Sequence, residues 1–194
     1  MAMNHDVSPF LSLVQQRNSC RTFDPERPVP REDITACLEA ARLAPSACNQ
    51  QPWRFVIVDD MHIRQAFFDH ARLPGIPHLW WSTVPVFVAV CCQRNVVTHR
   101  IASFVSGLPY AWMDTAIAAE HFVLAAAERD LGTCWIGWFN EKQVKKLLGI
   151  PRGTRVAALI ALGYPSETSS EGSSSRKPIE DIASWNAWDG DSLS

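Results

Sequence analysis

The chain has 194 residues, of which 47% are hydrophobic and 20% charged, and its formal net charge is -2. That length and composition allow it to bury a core of its own and exclude a disordered protein. The near-neutral charge supplies no basic field for nucleic acid or an anionic membrane.

In chain order, the opening MAMNHDVSPF lacks a basic segment followed by an apolar run, so no secretory signal is read there. Ser8-Pro9 reads as an N-cap with proline at the first helical position, opening a helix through about Arg17. Pro25, Pro28 and Pro30 mark an extended link. Ile34, Leu38, Ala41 and Leu43 then recur at near-helical spacing, giving a second helix that ends near Ala44-Pro45. Residues 53–58 (WRFVIV) predict a strand buried on both faces. Residues 61–71 predict a helix, and residues 72–82, rich in proline and tryptophan, an irregular surface segment.

Residues 84–92 (VPVFVAVCC) predict a second buried strand, with Pro85 admissible only near its start. The long loop 93–109 follows. Residues 111–129 form a helix that is apolar nearly all round, expected in the core or in a subunit interface. Its most apolar part, 115–127, is too short to span a bilayer and carries Glu120 and His121 at its centre. Residues 132–139 are a short apolar segment. Asn140 caps a helix with Gln143 in the capping-box position and Gly149 as its stop. Residues 155–164 (RVAALIALGY) are a further strand. The serine-rich stretch 166–175 is polar, and apolar residues resume over 176–188, a tail that must dock somewhere.

These features predict one domain over residues 1–194, with 166–194 as a C-terminal arm, in a cytoplasmic protein. Helices and strands mix without regular βαβ alternation, so a doubly wound sheet is not expected. Neither a G-x-G-x-x-G nor a P-loop pattern occurs. Cys20, Cys37, Cys48, Cys91, Cys92 and Cys134 show no C-x-x-C spacing and read mostly as small core residues. No His/Cys/Asp/Glu set has metal-ligand spacing, so no metal is expected.

Three clusters carry candidate chemistry. Arg17-Asn18-Ser19-Cys20-Arg21 is either a solvated charge pair at a helix end or a site where two guanidinium forks and a hydroxyl converge on a phosphate. Ala44-Pro45-Ser46-Ala47-Cys48-Asn49-Gln50-Gln51-Pro52-Trp53 is either a polar turn feeding a strand or a set of donors and acceptors for a heteroaromatic ring edge. In the third, G-T-C-W-I-G-W-F at residues 132–139, Gly132 and Gly137 would let the backbone approach a flat ligand, unless the segment is simply a packed core strand. Trp80, Trp81 and Trp112 are either core or the lining of an aromatic pocket.

Taken together the clusters resemble the nitroreductase family. The matching elements are R-x-S-x-R at residues 17–21, A-P-S-x-x-N-x-Q-P-W at 44–53, G-T-C-W-I-G at 132–137, L-G-Y-P at 162–165 and R-K-P at 176–178, in order along most of the chain. The resemblance implies an α+β fold, a nitroreductase-like mixed β-sheet flanked by helices, in an intertwined homodimer with FMN at the interface. It implies NADH or NADPH as reductant, with hydride passing through flavin N5 to a small-molecule acceptor by a ping-pong scheme. Nitroaromatics, quinones and free flavins are the usual acceptors, and the family also covers dehalogenation and flavin breakdown. A flavin-binding sensor or scaffold without turnover is the contrasting reading.

By that resemblance Arg17, Ser19 and Arg21, with Asn18 between them, are phosphate and ribityl contacts, and Arg176 is a further phosphate ligand. Ser46, Asn49 and Gln51 contact the flavin, the backbone of Pro45, Ser46 and Ala47 reaches the partner's flavin, and the backbone of Ile136 and Gly137 faces the reactive edge of the ring. Two positions depart from the pattern: Ser174 stands where many members have a basic residue, and Asn18 where an arginine is frequent. No catalytic acid or base is assigned, and His99 and His121 are read as structural.

Overall fold

The computed structural model describes residues 8–75, 79–93, 108–167, 174–188 and 190. Within them run helices α1 (Pro9–Gln16) and α2 (Arg31–Arg42), strand β1 (Trp53–Val58), helix α3 (Met61–Ala66) and strand β2 (Val86–Gln93). Helix α4 (Tyr110–Ala127), strand β3 (Gly132–Ile136), helix α5 (Glu141–Leu147) and strand β4 (Thr154–Gly163) follow. The expected ends are in place. The Ser8 hydroxyl accepts the Leu11 amide at 3.2 Å with Pro9 at the first turn, and Asn140 accepts the Gln143 amide at 3.2 Å. Gly149, at φ +63°, takes the left-handed conformation that closes α5. His99, within 94–107, and residues 168–173 of the serine-rich stretch lie outside the described residues.

The sheet has the order β1-β2-β4-β3, and every strand pair is antiparallel. The expected mixed sheet is therefore antiparallel in its named strands, and parallel pairing among the described residues is confined to one bridge between Ser19 and Thr133. The reason is connectivity: β1 to β2 and β3 to β4 join sheet neighbours by returns, which place neighbours antiparallel without a crossover.

Central strand β2 is buried on both faces. Phe87, Ala89 and Cys91 meet Phe67, Trp81 and Val144 on one side, whereas Val86, Val88 and Val90 meet Ile34, Ala119 and Phe122 of α2 and α4 on the other. β1, expected to be buried on both faces, is an edge strand in which only Val58 is fully buried and Arg54 is exposed. Lying at the margin of the sheet, it is only partly covered by the layers on its two faces, with Val56 packed on one side and Phe55 and Ile57 on the other; Phe55 stacks on Phe122 with centroids 5.9 Å apart. The segment expected to be irregular surface contains a 3-10 turn, Leu79–Thr83, whose Trp81 is in the core against Phe87 at 5.4 Å. That ring fills the sheet face left open by α2 and α4.

α4 buries Ala118, Ala119, Phe122, Val123 and Ala126 and leaves Met113 and Ile117 exposed. His121 Nδ1 lies 3.2 Å from the Ala40 carbonyl, tying α4 to α2. No helix among the described residues is long and apolar enough to cross a membrane. All six cysteines are free and only Cys48 is exposed; burial pushes the Cys37 and Cys91 thiols up to about 11.

Candidate functional site

Residues 19–24 lie along the edge made by β3 and the end of β4. After Arg17 the chain leaves α1 in an extended conformation, and Ser19 bridges Thr133. The Cys20 amide donates to the Thr133 carbonyl at 2.8 Å, and the Asp24 amide to the Tyr164 carbonyl at 2.9 Å. Cys20 points inward and is buried, so its neighbours Ser19 and Arg21 face outward and are exposed. The first and third clusters, more than a hundred residues apart in sequence, are thus one edge of the sheet.

The two glycines of the third cluster have different tasks. A β-carbon on Gly132 would stand 2.8 Å from Cys20 Cβ, so its close approach is used by Cys20 and not, as expected, by a ligand. At Gly137 a β-carbon would meet no heavy atom within 4 Å, which leaves an open backbone edge. The Ile136 side chain is in the core, so only its backbone is available to that edge.

Two depressions mark this region. Arg17 and Asn18 line one of about 360 Å³ with Thr133 and Pro165. Arg21 lines another of about 150 Å³ with Trp80, Trp135, Gly137 and Trp138. The two arginines expected to converge therefore face different depressions of the same edge, Arg17 beside the start of β3 and Arg21 beside its end.

The second cluster is built differently. Ser46 Oγ accepts the Gln51 amide at 3.0 Å, and Gln51 Nε2 donates to Asn49 Oδ1 at 3.0 Å. Cys48, Asn49 and Gln51 have φ of 51°, 54° and 48°, left-handed backbone that costs a non-glycine residue on the order of 1 kcal/mol. The Ala47 amide is 3.2 Å from both carboxyl oxygens of Asp114, which reaches it from α4. Nothing in the sequence reading singled out Asp114; the available signal was an acidic residue inside the apolar run YAWMDTAIAA. This turn feeds β1, the opposite edge of the sheet from β3, three strand spacings or about 14 Å away. One chain accordingly holds the second cluster apart from the other two. Arg176 is exposed and donates to the Ser174 and Ser175 carbonyls at 3.2 Å; among the described residues it makes no hydrogen bond to another candidate.

The donor set fits a flavin mononucleotide. Arg17 and Ser19 offer the guanidinium and hydroxyl that a phosphate takes, the open edge at Gly137 admits a flat ring, and Asn49 and Gln51 offer amides suited to a heteroaromatic edge. No group of His, Cys, Asp and Glu that could hold a metal exists among the described residues.

A model of the nitroreductase family matches residues 14–164. The protein belongs to the nitroreductase family. This nitroreductase-family chain is an oxidoreductase, and its relatives agree with the fold. It is 32% identical over 167 residues to a protein of Archaeoglobus fulgidus provisionally named NADH dehydrogenase/NAD(P)H nitroreductase, covering 81% of this chain and 86% of that one. It is 26% identical over 166 residues to the iodotyrosine deiodinase of Thermotoga neapolitana, covering 80% and 88%. Among solved structures, a nitroreductase family protein of Clostridium novyi superposes with a TM-score of 0.74 at 27% identity, covering 96% of this chain and 97% of that one. An oxidoreductase described as containing FMN superposes with a TM-score of 0.77 at 25% identity, covering 97% and 96%.

Proposed function

We propose that the protein is a cytoplasmic, homodimeric FMN-dependent oxidoreductase that uses NADH or NADPH to reduce nitroaromatic, quinone or related acceptors. The observation that carries this reading is the seating of Ser19 and Cys20 on β3, which sets the exposed Ser19 beside Thr133 at its start and the exposed Arg21 beside the open backbone of Gly137 at its end. When bound, FMN supplies the hydride transfer between nicotinamide and acceptor. Arg17, Asn18, Ser19 and Arg176 bind its phosphate end. Arg21 and the Ile136–Gly137 backbone hold the ring, and Ser46, Asn49 and Gln51 close its other side.

Separation of the turn 45–51 from β3 by the width of the sheet supports a site completed by a second copy, with Pro45, Ser46 and Ala47 reaching the partner's flavin. Exposed apolar side chains support the same assembly: Phe10, Leu11 and Val14 on α1, Met113 and Ile117 on α4, and Ile182, Trp185 and Trp188 in the arm. Residues 1–194 then form one domain whose arm, 166–194, lies across the dimer.

The likeness to an iodotyrosine deiodinase supports a second reading of the same site, reductive dehalogenation. Purified protein is expected to be yellow, or to turn yellow with FMN, at about one flavin per chain. It should oxidise NADH or NADPH when a nitroaromatic, a quinone or a halogenated phenol is added, and the preferred acceptor separates the two readings. Full FMN occupancy with no turnover would leave a sensor or scaffold. A colourless protein whose titration with FMN gives no change in fluorescence overturns the flavin reading.

A further inference from the structure

We propose that Asp114 is a positioning residue for the turn 46–51: through the Ala47 amide it fixes the backbone that presents Asn49 and Gln51 to the flavin. The inference rests on the flavin reading of that turn. Asp114 is 4% exposed, which suits a residue that acts through what it holds. Both of its oxygens are 3.2 Å from the Ala47 nitrogen across 67 positions of sequence.

The turn needs such an anchor. Cys48, Asn49 and Gln51 all sit in the left-handed region, an arrangement that persists only where surrounding structure over-determines it. The bond from the Gln51 amide to Ser46 Oγ restrains the turn internally, but both of its partners belong to the turn and move with it. Among the described residues, Asp114 is a restraint that roots the turn in a helix. On the same helix Ala118 and Ala119 are fully buried, Ala119 in the core with β2 and β4, which holds this part of α4 in place. A buried acceptor deprived of its donor, or a donor of its acceptor, is costly, so the pair acts as one unit.

The pair also makes the idea separable from general stability. Ala47→Pro removes the donor; Ser46 has the extended ψ of 152° that suits a residue before proline, and Ala47 is the first residue of a 3-10 turn. A double-mutant cycle with Asp114→Ala then isolates the contact. Two readouts are taken, FMN affinity and the rate of iodoacetamide alkylation of Cys48, the exposed one of the six cysteines and itself within the turn.

Each single variant is expected to weaken FMN by about tenfold and to weaken riboflavin by the same factor, because the turn serves the ring and not the phosphate. Cys48 alkylation in flavin-free protein should accelerate in both. The double variant should be no worse than the weaker single one, and Asp114→Asn, which keeps one acceptor oxygen, should recover most of the affinity. Additive losses in the double variant overturn the proposal, as does unchanged affinity and alkylation in folded Asp114→Ala protein. If Asp114→Ala does not fold, Ala47→Pro against wild type decides by the same two readouts. Wild-type protein that binds no FMN overturns the flavin reading, and Cys48 alkylation still tests the hold of Asp114 on the turn.

Discussion

Cys20 and Gly132 are packed so closely that a β-carbon on the glycine would stand 2.8 Å from both Cβ and Sγ of the cysteine. This contact seats the segment after α1 on β3, with the Cys20 amide bonded to the Thr133 carbonyl beside it. Gly132→Ala is therefore expected to cost about 1–3 kcal/mol, as overpacked core sites do, and to weaken FMN by displacing Arg17 and Ser19. Gly137→Ala, with open space around it, should shift stability by less than about 0.5 kcal/mol. Urea denaturation of the two variants checks the contrast, and equal midpoints would show that the close contact carries no constraint.

Arg17 and Arg21 line different depressions, and ligand choice should tell them apart. Arg17→Ala is expected to weaken FMN by about ten- to a hundredfold and to leave riboflavin, which lacks the phosphate, near the wild-type value. Arg21→Ala, beside Gly137, should weaken both flavins alike. Fluorescence titration of each variant with each flavin gives four affinities. A stronger preference loss in Arg21→Ala than in Arg17→Ala would reverse the assignment.

The arm is the next test. Ile182, Trp185 and Trp188 lie exposed on the single chain, with Trp188 at 94% of its full accessibility. Burying two such side chains against a second copy is worth about 3–6 kcal/mol. A chain ending at Pro165 should consequently dissociate to monomer at concentrations where the full chain is a dimer. It should also bind FMN more weakly through the loss of Arg176. Sedimentation equilibrium and flavin titration decide; a tight dimer with full affinity would make the arm a surface appendage.

Thiol burial predicts a pH dependence. The Cys37 and Cys91 thiols rise from 9.0 to about 11 because burial disfavours the thiolate. Between those values the folded state binds more protons than the unfolded one, so stability must fall as pH rises. The contribution is complete below pH 9 and is lost through pH 11. Denaturant midpoints at about pH 8, 9.5 and 11 should decline, and Cys37→Ala with Cys91→Ala should flatten the decline. A slope unchanged in the double variant would assign the loss to other groups.

Local chemistry decided a good deal of this protein from sequence alone. Ser8 and Asn140 mark helix starts through bonds to amides within the first turn, and Gly149 marks a helix end through its own left-handed backbone, so their types suffice. The apolar runs of β2 and β4 and the family motifs were equally legible, because each is contiguous. Tertiary structure alone decided the rest. Whether β1 is central or an edge depends on which strands flank it, and WRFVIV reads the same in both places. Gly132 looked like room for a ligand until Cys20, 112 positions earlier, proved to fill it. Trp81 became core, and Asp114 an anchor, only when a distant sheet face and a distant amide were brought to them. Periodicity records which residues are apolar, whereas packing and long-range hydrogen bonds choose their partners, and that choice is what joins the first cluster to the third and holds the second at the far edge of the sheet.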